Sequence, residues 1–426
     1  MKQVSAGEYW GEFRTHWQAL LSATLGLGFG IGLNAYIAGL FGPQLLSTFG
    51  WERSQFALLG MIGLVMLVLS PVVGRLTDRW GVRLVAGFGV LAVPVATATF
   101  ALMNGDIRWF FVLNLLQIVL GASTTTPVYS RLVAERFVYA RGLAFSIVMT
   151  GPPLAGAIMA PVIGHVIEAE GWRAGYLVLA VVTFAFGALA VLTIPRRSPP
   201  PEREAGTTSR IDRAIATGQQ NAGHKADRIE IFANPAFWVI IVAMVLANVP
   251  HALLSAQMKL MLMDSGATAQ SAIWLVTAFA AGVIIGRFSC GLALDRLPAH
   301  LVATVVVGLP ALGMVLLASP LDGAVALAIA VMLLGLAYGA EGDIAAYMVA
   351  RNFPIRVFST VMGFVGAAIA GGSAGGALIL SVTLRASDSY GPYLLLSAGS
   401  TVAGALLFLT LGRRPRPATV VEGMPS

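Results

Sequence analysis

The chain consists largely of long apolar runs separated by short charged or Pro/Gly-containing breaks. Each run has about 20 or more residues, the length that a helix needs to cross a hydrocarbon core of about 30 Å. Because the runs lack the residue-by-residue alternation of barrel strands, they predict transmembrane helices. The predicted spans, numbered 1 to 12, are 20–42, 55–76, 83–103, 109–134, 141–167, 173–195, 236–262, 268–294, 300–319, 323–350, 356–384 and 389–412.

One long polar segment divides this pattern into equal halves. Residues 196–235 are rich in proline, charge and glutamine and are too hydrophilic to be buried. We therefore expect a six-helix bundle in 1–195, a cytoplasmic linker in 196–235, and a second six-helix bundle with a short cytoplasmic tail in 236–426. The polar N-terminus has no short apolar core with a cleavage site, so we expect span 1 to serve as its own targeting signal.

The two predicted bundles repeat one another in sequence. A glycine, an aspartate and an arginine recur 217 residues apart, each time between two apolar runs: Gly74, Asp78 and Arg79 in the first half, and Gly291, Asp295 and Arg296 in the second. In spans 4 and 10, Tyr129 recurs as Tyr347 at an offset of 218. Because each half has an even number of spans, both halves enter the bilayer in the same direction and form parallel repeats. The sequence thus predicts an all-α membrane protein of twelve helices with a cavity between two bundles.

Composition agrees with a chain solvated by lipid. The sequence is 57% hydrophobic and 11% charged, with a mean hydropathy of +0.81. Its net charge of +7 comes from basic residues in short loops, which is the pattern of membrane topology rather than of nucleic-acid binding. Most of the 27 lysines and arginines fall on one side, so we expect both termini to be cytoplasmic. Cys290, the single cysteine, lies in an apolar run and is expected to pack rather than react.

The loop between spans 2 and 3 carries a family resemblance. Its sequence, GRLTDRWGVR in residues 74–83, resembles the signature loop of the major facilitator superfamily, and the resemblance extends over essentially the whole chain. It implies a secondary transporter in which loop aspartates and arginines latch the cytoplasmic ends of helices in one conformational state. The residues expected in this latch are Gly74, Asp78, Arg79, Arg83, Asp295 and Arg296. Pro298 replaces the glycine in the second copy, so a weaker latch is expected there.

Three stretches resemble a particular branch of that superfamily. Residues 36–54, residues 151–176 and Arg287 in span 8 are similar to the monocarboxylate transporter and oxalate/formate antiporter-like branch. The resemblance implies that Arg287 binds a substrate carboxylate. Drug/proton antiporters usually carry an arginine where this chain has Gln117, which argues against drug efflux. The aspartate that monocarboxylate transporters often place four residues before the span 8 arginine is Val283 here.

The position of Arg287 gives an independent reason to expect a binding role. It lies about five residues from the middle of span 8, which at ~1.5 Å per residue is roughly 7 Å from the bilayer centre. Charged side chains at this depth are costly and are functional candidates by default. A planar guanidinium can hold a carboxylate through two hydrogen bonds. The alternatives are a structural ion pair with a buried acid, or a side chain that extends towards the cytoplasm.

Two acids in span 10 are candidates for carrying a proton. Glu341 and Asp343 lie at about the depth of Arg287. A carboxyl group buried at that depth can take up a proton near neutral pH, which suits proton coupling. Because the two residues point about 200° apart on a helix, we expect only one to face the pathway and prefer Asp343. The alternative is that one or both simply neutralise Arg287.

Other polar residues in the predicted cavity helices complete the candidate substrate site. With Arg287, the candidates are Asn34, Tyr36, Gln117, Tyr129, His251 and Tyr347. An intramembrane histidine such as His251 can relay protons, but it more often makes a helix-to-helix hydrogen bond. Span 11 is glycine-rich and has no internal lysine. A dicarboxylate exchanger in the resembling family uses a second cation there, so the resemblance implies that a chain with one central arginine takes a monoanion. The tyrosines would tolerate an apolar or aromatic acid.

Nothing in the sequence indicates an enzyme. It has no metal-binding cluster, no phosphate-binding glycine loop with a lysine, and no nucleophile beside a base, so we expect no cofactor and a gradient as the energy source. We expect a monomer in the cytoplasmic (inner) membrane of a bacterium-like cell, whose partners are a small organic anion, protons and the lipid bilayer. The alternatives are proton-coupled efflux of an amphiphilic compound or drug, organic-anion exchange, and a membrane receptor or sensor that does not transport.

Overall fold

The computed structural model describes residues 6–51, 64–195, 229–256, 258, 261–262, 269–319, 323–387 and 389–413, and within these ranges it is helical without strands. The α-helices of the first half are α1 (Ala6–Gly28), α2 (Asn34–Phe49), α3 (Met66–Trp80), α4 (Val82–Thr99), α5 (Ile107–Gly121), α6 (Thr126–Arg136), α7 (Arg141–Met149), α8 (Gly151–Glu170) and α9 (Trp172–Thr193). Those of the second half are α10 (Pro235–Ala247), α11 (His251–Ala256), α12 (Ala269–Arg296), α13 (Ala299–Ala318), α14 (Ala324–Asn352), α15 (Phe358–Ser387) and α16 (Gly391–Leu409).

These helices follow the predicted spans. Within the described ranges, nine helical segments are long and apolar enough to cross a membrane, and they correspond to spans 3–6 and 8–12. Spans 1 and 7 are each formed by two shorter helices, α1 with α2 and α10 with α11. Span 2 is α3, whose predicted first residues, 55–63, lie outside the described residues, as does most of the predicted linker (196–228).

The two halves meet through two symmetry-related pairs of helices. Within each half the helices pack as a bundle, for example α4 on α9 in the first and α13 on α14 and α16 in the second. Between the halves, α3 of span 2 packs along α15 of span 11, and α7 of span 5 packs along α12 of span 8. Spans 2 and 8 are equivalent in the two repeats, as are spans 5 and 11. The sequence repeat is therefore also a repeat of contacts.

Spans 1 and 4 are interrupted next to each other inside the first bundle. Span 1 breaks between α1 and α2, where a 3₁₀ turn (Ile31–Leu33) follows Gly30. Glycine-rich sequence weakens a helix here. Span 4 also has a 3₁₀ turn (Ala122–Thr124) between α5 and α6. The Ile31 N–H donates to Thr124 Oγ1 at 2.9 Å, so one interruption satisfies a backbone group freed by the other.

A helical segment that the sequence did not predict precedes span 1. The helix α1 begins at Ala6 and is kinked at His16, whose backbone is not helical, and the part after the kink contains the predicted start of span 1 at residue 20. The extra turns are fixed by side-chain contacts: the Glu12 carboxylate accepts the backbone N–H groups of Val138, Tyr139 and Ala140 at distances from 2.9 Å. A helical extension thus caps the loop that leads into α7, which a reading of hydropathy does not detect.

Candidate functional site

Asp78 joins the two halves through the beginning of α15. Its carboxylate accepts the backbone N–H of Ser359 at 3.0 Å, and the N–H and hydroxyl of Thr360 at 2.6 Å each. Ser359 and Thr360 lie in the first turn of α15, whose N–H groups have no partner within the helix and carry a partial positive charge. Asp78 also forms an ion pair with Arg131 of α6, and both side chains are nearly fully buried.

Asp295 makes the equivalent contact in the opposite direction. Its carboxylate accepts the N–H of Gly142 at 2.6 Å and of Leu143 at 3.1 Å, in the first turn of α7. Gly142 and Leu143 precede Ser359 and Thr360 by the same 217 residues that separate Asp78 from Asp295. The third partner differs, because Asp295 accepts the hydroxyl of Tyr9 at 2.9 Å instead of pairing with an arginine. We call these two sets of contacts the latch, and the end of the molecule that carries them the latch end.

The motif glycines allow the helices of the latch to approach closely. A Cβ atom placed on Gly74 would overlap the backbone of Ser359, and one placed on Gly291 would overlap the side chain of Ser146 and approach the backbone of Gly142. A side chain at either position would therefore separate a pair of helices that crosses between the halves.

The predicted latch arginines are not the ones that hold the aspartates. Arg79, Arg83 and Arg296 are exposed, and no acid of the described residues lies within ion-pair distance of them. The cation that pairs with Asp78 is Arg131, whose guanidinium also donates to Glu135 at 2.6 Å. Arg131 is 53 residues from Asp78 in the chain, so only the packing of α6 against α3 brings the two together.

The central charges Arg287 and Asp343 lie in the second half, where it contacts α7 of the first half. Arg287 Nη1 of α12 is 4.0 Å from Asp343 Oδ1 of α14, an ion pair with side-chain exposures of 15% and 0%. The other carboxylate oxygen of Asp343 is 2.9 Å from the hydroxyl of Ser146, which belongs to α7 of the first half. Sequence reasoning missed Ser146; the available signal was a hydroxyl in an otherwise apolar part of span 5.

Glu341 faces a different group of side chains. It lies in a cavity of the second half that is lined by Asn248, His251 and Tyr338, among others. Asn248 Nδ2 donates to Glu341 Oε1 at 3.1 Å. The His251 ring stacks on Tyr338 with centroids 5.1 Å apart, and Nε2 lies 3.5 Å from the tyrosine hydroxyl. Glu341 and His251 thus belong to one polar cluster beside, but separate from, the Arg287–Asp343 pair.

Tyrosines extend this region from both halves. Tyr36 of α2 is half-exposed and interacts electrostatically with Arg287. Tyr338 of α14 interacts electrostatically with Tyr36, Arg287 and Glu341. Tyr36 and Tyr338 therefore both lie close enough to Arg287 to interact with it electrostatically. Tyr338 was not among the sequence candidates.

The remaining candidates lie elsewhere in this conformation. Gln117 donates to Thr97 Oγ1 at 2.9 Å within the first bundle. Tyr129 is fully buried beside Gly26, and its hydroxyl has no hydrogen-bond partner. Asn34 is half-buried at the start of α2, and Tyr347 lies one turn beyond Asp343, in electrostatic range of Arg141 at the latch end. In this conformation Gln117 and Tyr129 are therefore buried within the first bundle.

We compared the chain with known protein families. The sequence model of the Major Facilitator Superfamily matches residues 20–377 of this chain. The chain belongs to the Major Facilitator Superfamily. Its members are transporters rather than enzymes, so the expected fold and class of protein are confirmed. The chain is a multi-pass membrane transporter of the major facilitator fold.

Individual similarities are distant. The chain is 25% identical to the MFS-type transporter pytF of Aspergillus terreus over 301 residues, which cover 70% of this chain and 94% of that one. It is 28% identical to monocarboxylate transporter 11 of Homo sapiens over 170 residues, 39% of this chain and 36% of that one. A solved structure of the proton:xylose symporter XylE superposes with a TM-score of 0.72 at 13% identity, covering 93% and 95% of the two chains. That likeness shows the fold.

Proposed function

We propose that this superfamily member moves a small organic monocarboxylate together with a proton across the cytoplasmic membrane by alternating access. The observation that carries the proposal is the pair of Arg287 and Asp343, one cation and one acid buried where the two bundles meet. A buried ion pair costs desolvation energy, and transporters retain intramembrane charges where substrates or protons bind.

Arg287 is the proposed carboxylate site. At 4.0 Å the contact with Asp343 is an ion pair without a hydrogen bond, so guanidinium donors remain for a substrate. The Arg287 side chain is 15% exposed and that of Asp343 is fully buried, so Arg287 is the more accessible of the two. One central cation matches one carboxylate, and Tyr36 and Tyr338 offer aromatic surface to the rest of the molecule.

Asp343 is the proposed proton carrier. When it is ionised it competes with the substrate carboxylate for Arg287, and when it is protonated it releases the arginine. Proton uptake and anion binding therefore favour each other, which is the requirement for symport. Glu341, beside His251 and Tyr338, is the alternative proton site.

The latch fits a transporter in one of its alternating states. Contacts of Asp78 and Asp295 close one end of the boundary between the halves. We place this end in the cytoplasm, because most of the basic residues fall on that side of the predicted topology. Breaking both contacts would open the space around Arg287 to that side. The similarity to a monocarboxylate transporter over part of the chain is consistent with the proposed substrate class.

The test is internal pH in proteoliposomes while aliphatic, hydroxy and aromatic monocarboxylates are added outside. Protein-dependent acidification beyond passive leak, absent with Arg287→Ala, is the expected result. Uptake that requires a second anion inside and leaves pH unchanged would replace symport by exchange. If none of the acids acidifies the vesicles and amphiphilic compounds are instead exported in exchange for protons, the substrate class is amphiphilic compounds rather than monocarboxylates.

A further inference from the structure

The hydroxyl of Ser146 lies at a junction of three acceptors. Its Oγ is 2.8 Å from the backbone oxygen of Arg287, 2.9 Å from Asp343 Oδ2 and 3.2 Å from the backbone oxygen of Gly142. A serine hydroxyl has one proton to donate. Of the two shortest contacts, to the Arg287 backbone oxygen and to Asp343 Oδ2, Ser146 can therefore donate a hydrogen bond to only one.

The protonation state of Asp343 decides whether the other short contact is favourable. If Asp343 is ionised, Ser146 donates to the carboxylate, and its oxygen faces the Arg287 carbonyl oxygen at 2.8 Å without a proton between them. If Asp343 is protonated, its carboxyl donates to Ser146, and Ser146 donates to the Arg287 carbonyl. Only the protonated acid makes both short contacts hydrogen bonds.

The second carboxyl oxygen of Asp343 points to the same state. Oδ1 is fully buried and has no hydrogen-bond partner, and Arg287 Nη1, at 4.0 Å, is beyond hydrogen-bond distance. A buried ionised oxygen without a hydrogen bond is costly, whereas the carbonyl oxygen of a neutral acid loses much less. The conformation with the latch closed is thus the one that suits a neutral Asp343.

The equivalent contact in the other half cannot respond to a proton. At the offset of 217, Ser146 corresponds to Gly363 and Arg287 to Ser70, and at 218 Asp343 corresponds to Thr125. Gly363 packs closely against the backbone of Ser70. One crossing between the halves is therefore closed by glycine packing, and the other is closed through a hydroxyl and an acid.

The geometry points to Ser146 as a positioning residue that couples the proton on Asp343 to the closed latch. A chain of hydrogen bonds from Asp343 through Ser146 to the Arg287 carbonyl ties α7 to α12 and α14 while the acid is protonated. Because α7 is also the helix whose first turn binds Asp295, loss of the proton weakens the latch contact on the same helix. This role rests on the proton coupling proposed above and names the residue through which the proton acts on the halves.

The titratable groups that face Asp343 among the described residues are few. Arg287 and Cys290 face it from α12, and α7 contributes the Ser146 hydroxyl, which does not titrate in this range. On its own helix, Glu341 is directed towards Asn248, and Tyr347 lies one turn away. A pH dependence that disappears with Asp343 and with Ser146 is therefore attributable to their contact.

The experiment measures the distance between spin labels at the latch end without substrate. Leu84 of α4 and Leu301 of α13 are exposed near the latch ends of opposite halves and serve as labelled cysteine positions, while buried Cys290 stays unlabelled. In the parent protein, the ratio of latch-closed to latch-open molecules is expected to be about tenfold higher below neutral pH than above it, the effect of one hydrogen-bond contact. Asp343→Asn, which keeps a donor towards Ser146, is expected to hold the closed state at both pH values.

Ser146→Ala is expected to lose the pH dependence and to lower the closed population. Thr150→Ala is the matched control. It removes a hydroxyl one turn further along span 5 that donates to the Ser146 backbone oxygen, and it is expected to keep the pH dependence of the parent protein. Ser146→Ala with the full pH dependence, or a parent protein without any, would overturn the inference. This assay contains no acid substrate, so it is independent of the proteoliposome test. If no monocarboxylate is transported but the label distance still shifts with pH and the shift still requires Ser146, only the proposed substrate is rejected.

Discussion

Asp78 and Thr360 belong to opposite halves of the molecule, and Asp78 accepts both the backbone N–H and the hydroxyl of Thr360 at 2.6 Å. The repeat places the same relationship between Asp295 and Leu143, in which only the backbone N–H is bound. The two halves are therefore held together at one end by aspartates that cap helices of the other half. Such contacts are formed or lost as units, because they require a helix end to stay in place.

Replacing Asp78 by asparagine is expected to favour the latch-open state. The change leaves buried Arg131 with Glu135 as its acid partner and turns charge-assisted hydrogen bonds into neutral ones, at a cost of roughly 1–3 kcal/mol. The distance between labels at Leu84 and Leu301 measures the shift. Asp106→Asn is the matched control, because Asp106 caps α5 within its own half at 2.9 Å. Equal distances in Asp78→Asn and the parent protein would show that the latch does not depend on this charge.

Gly74→Ala is expected to separate α3 from α15. The added Cβ would overlap the Ser359 backbone, which cannot move without moving α15. Gly87→Ala in α4 is the control, because no atom lies within 4 Å of its added Cβ, and alanine favours a helix over glycine by about 1 kcal/mol. Thermal unfolding and the label distance together distinguish the two. Wild-type behaviour of Gly74→Ala in both measurements would contradict the close approach.

Arg287→Lys is expected to weaken transport of monocarboxylates despite the retained charge. Lysine cannot make two parallel hydrogen bonds to a carboxylate, and the loss of one charge-assisted bond, about 1.5–3 kcal/mol, corresponds to a KM roughly 10- to 100-fold higher. Uptake rates over a range of acid concentrations measure it. Arg108→Lys, at an exposed position of α5, should leave KM unchanged. A normal KM for Arg287→Lys would remove the bidentate role.

Asp343→Asn is expected to abolish proton-driven accumulation and to leave exchange of labelled for unlabelled acid. Asparagine keeps the hydrogen bond to Ser146 but cannot release a proton. The transporter with bound acid can therefore still alternate between its two conformations, whereas the empty transporter cannot return. Counterflow and net uptake, measured on the same vesicles, separate the two steps. Glu341→Gln should retain coupled uptake. If Glu341→Gln instead loses it and Asp343→Asn does not, the proton site is the cluster with His251.

The helices could be read from the sequence because the energy of burying apolar residues in lipid depends on local composition. Spans 3–6 and 8–12 appear close to their predicted positions for this reason. The break in span 7 was not predicted, because Asn248 and Pro250 interrupt the backbone hydrogen bonding within a run that otherwise stays apolar. The break in span 1 was not predicted either, and it follows Gly30. Residues 6–19 were left outside the predicted spans because of their polarity; they are helical except at His16, and Glu12 and Tyr9 in this segment bind partners far along the chain.

By itself the sequence determined the number of spans, the parallel repeat and the motif aspartates. The spans follow from the length of the apolar runs, and the repeat and its aspartates follow from the constant spacing of 217 residues. It also singled out Arg287 and Asp343, since ionisable groups are rare in apolar runs. Only the tertiary structure decided which acid pairs with Arg287, that Arg131 rather than Arg79 binds Asp78, and that Ser146 bridges the halves. Those contacts join residues 53 to 197 positions apart, and their geometry depends on how whole helices pack.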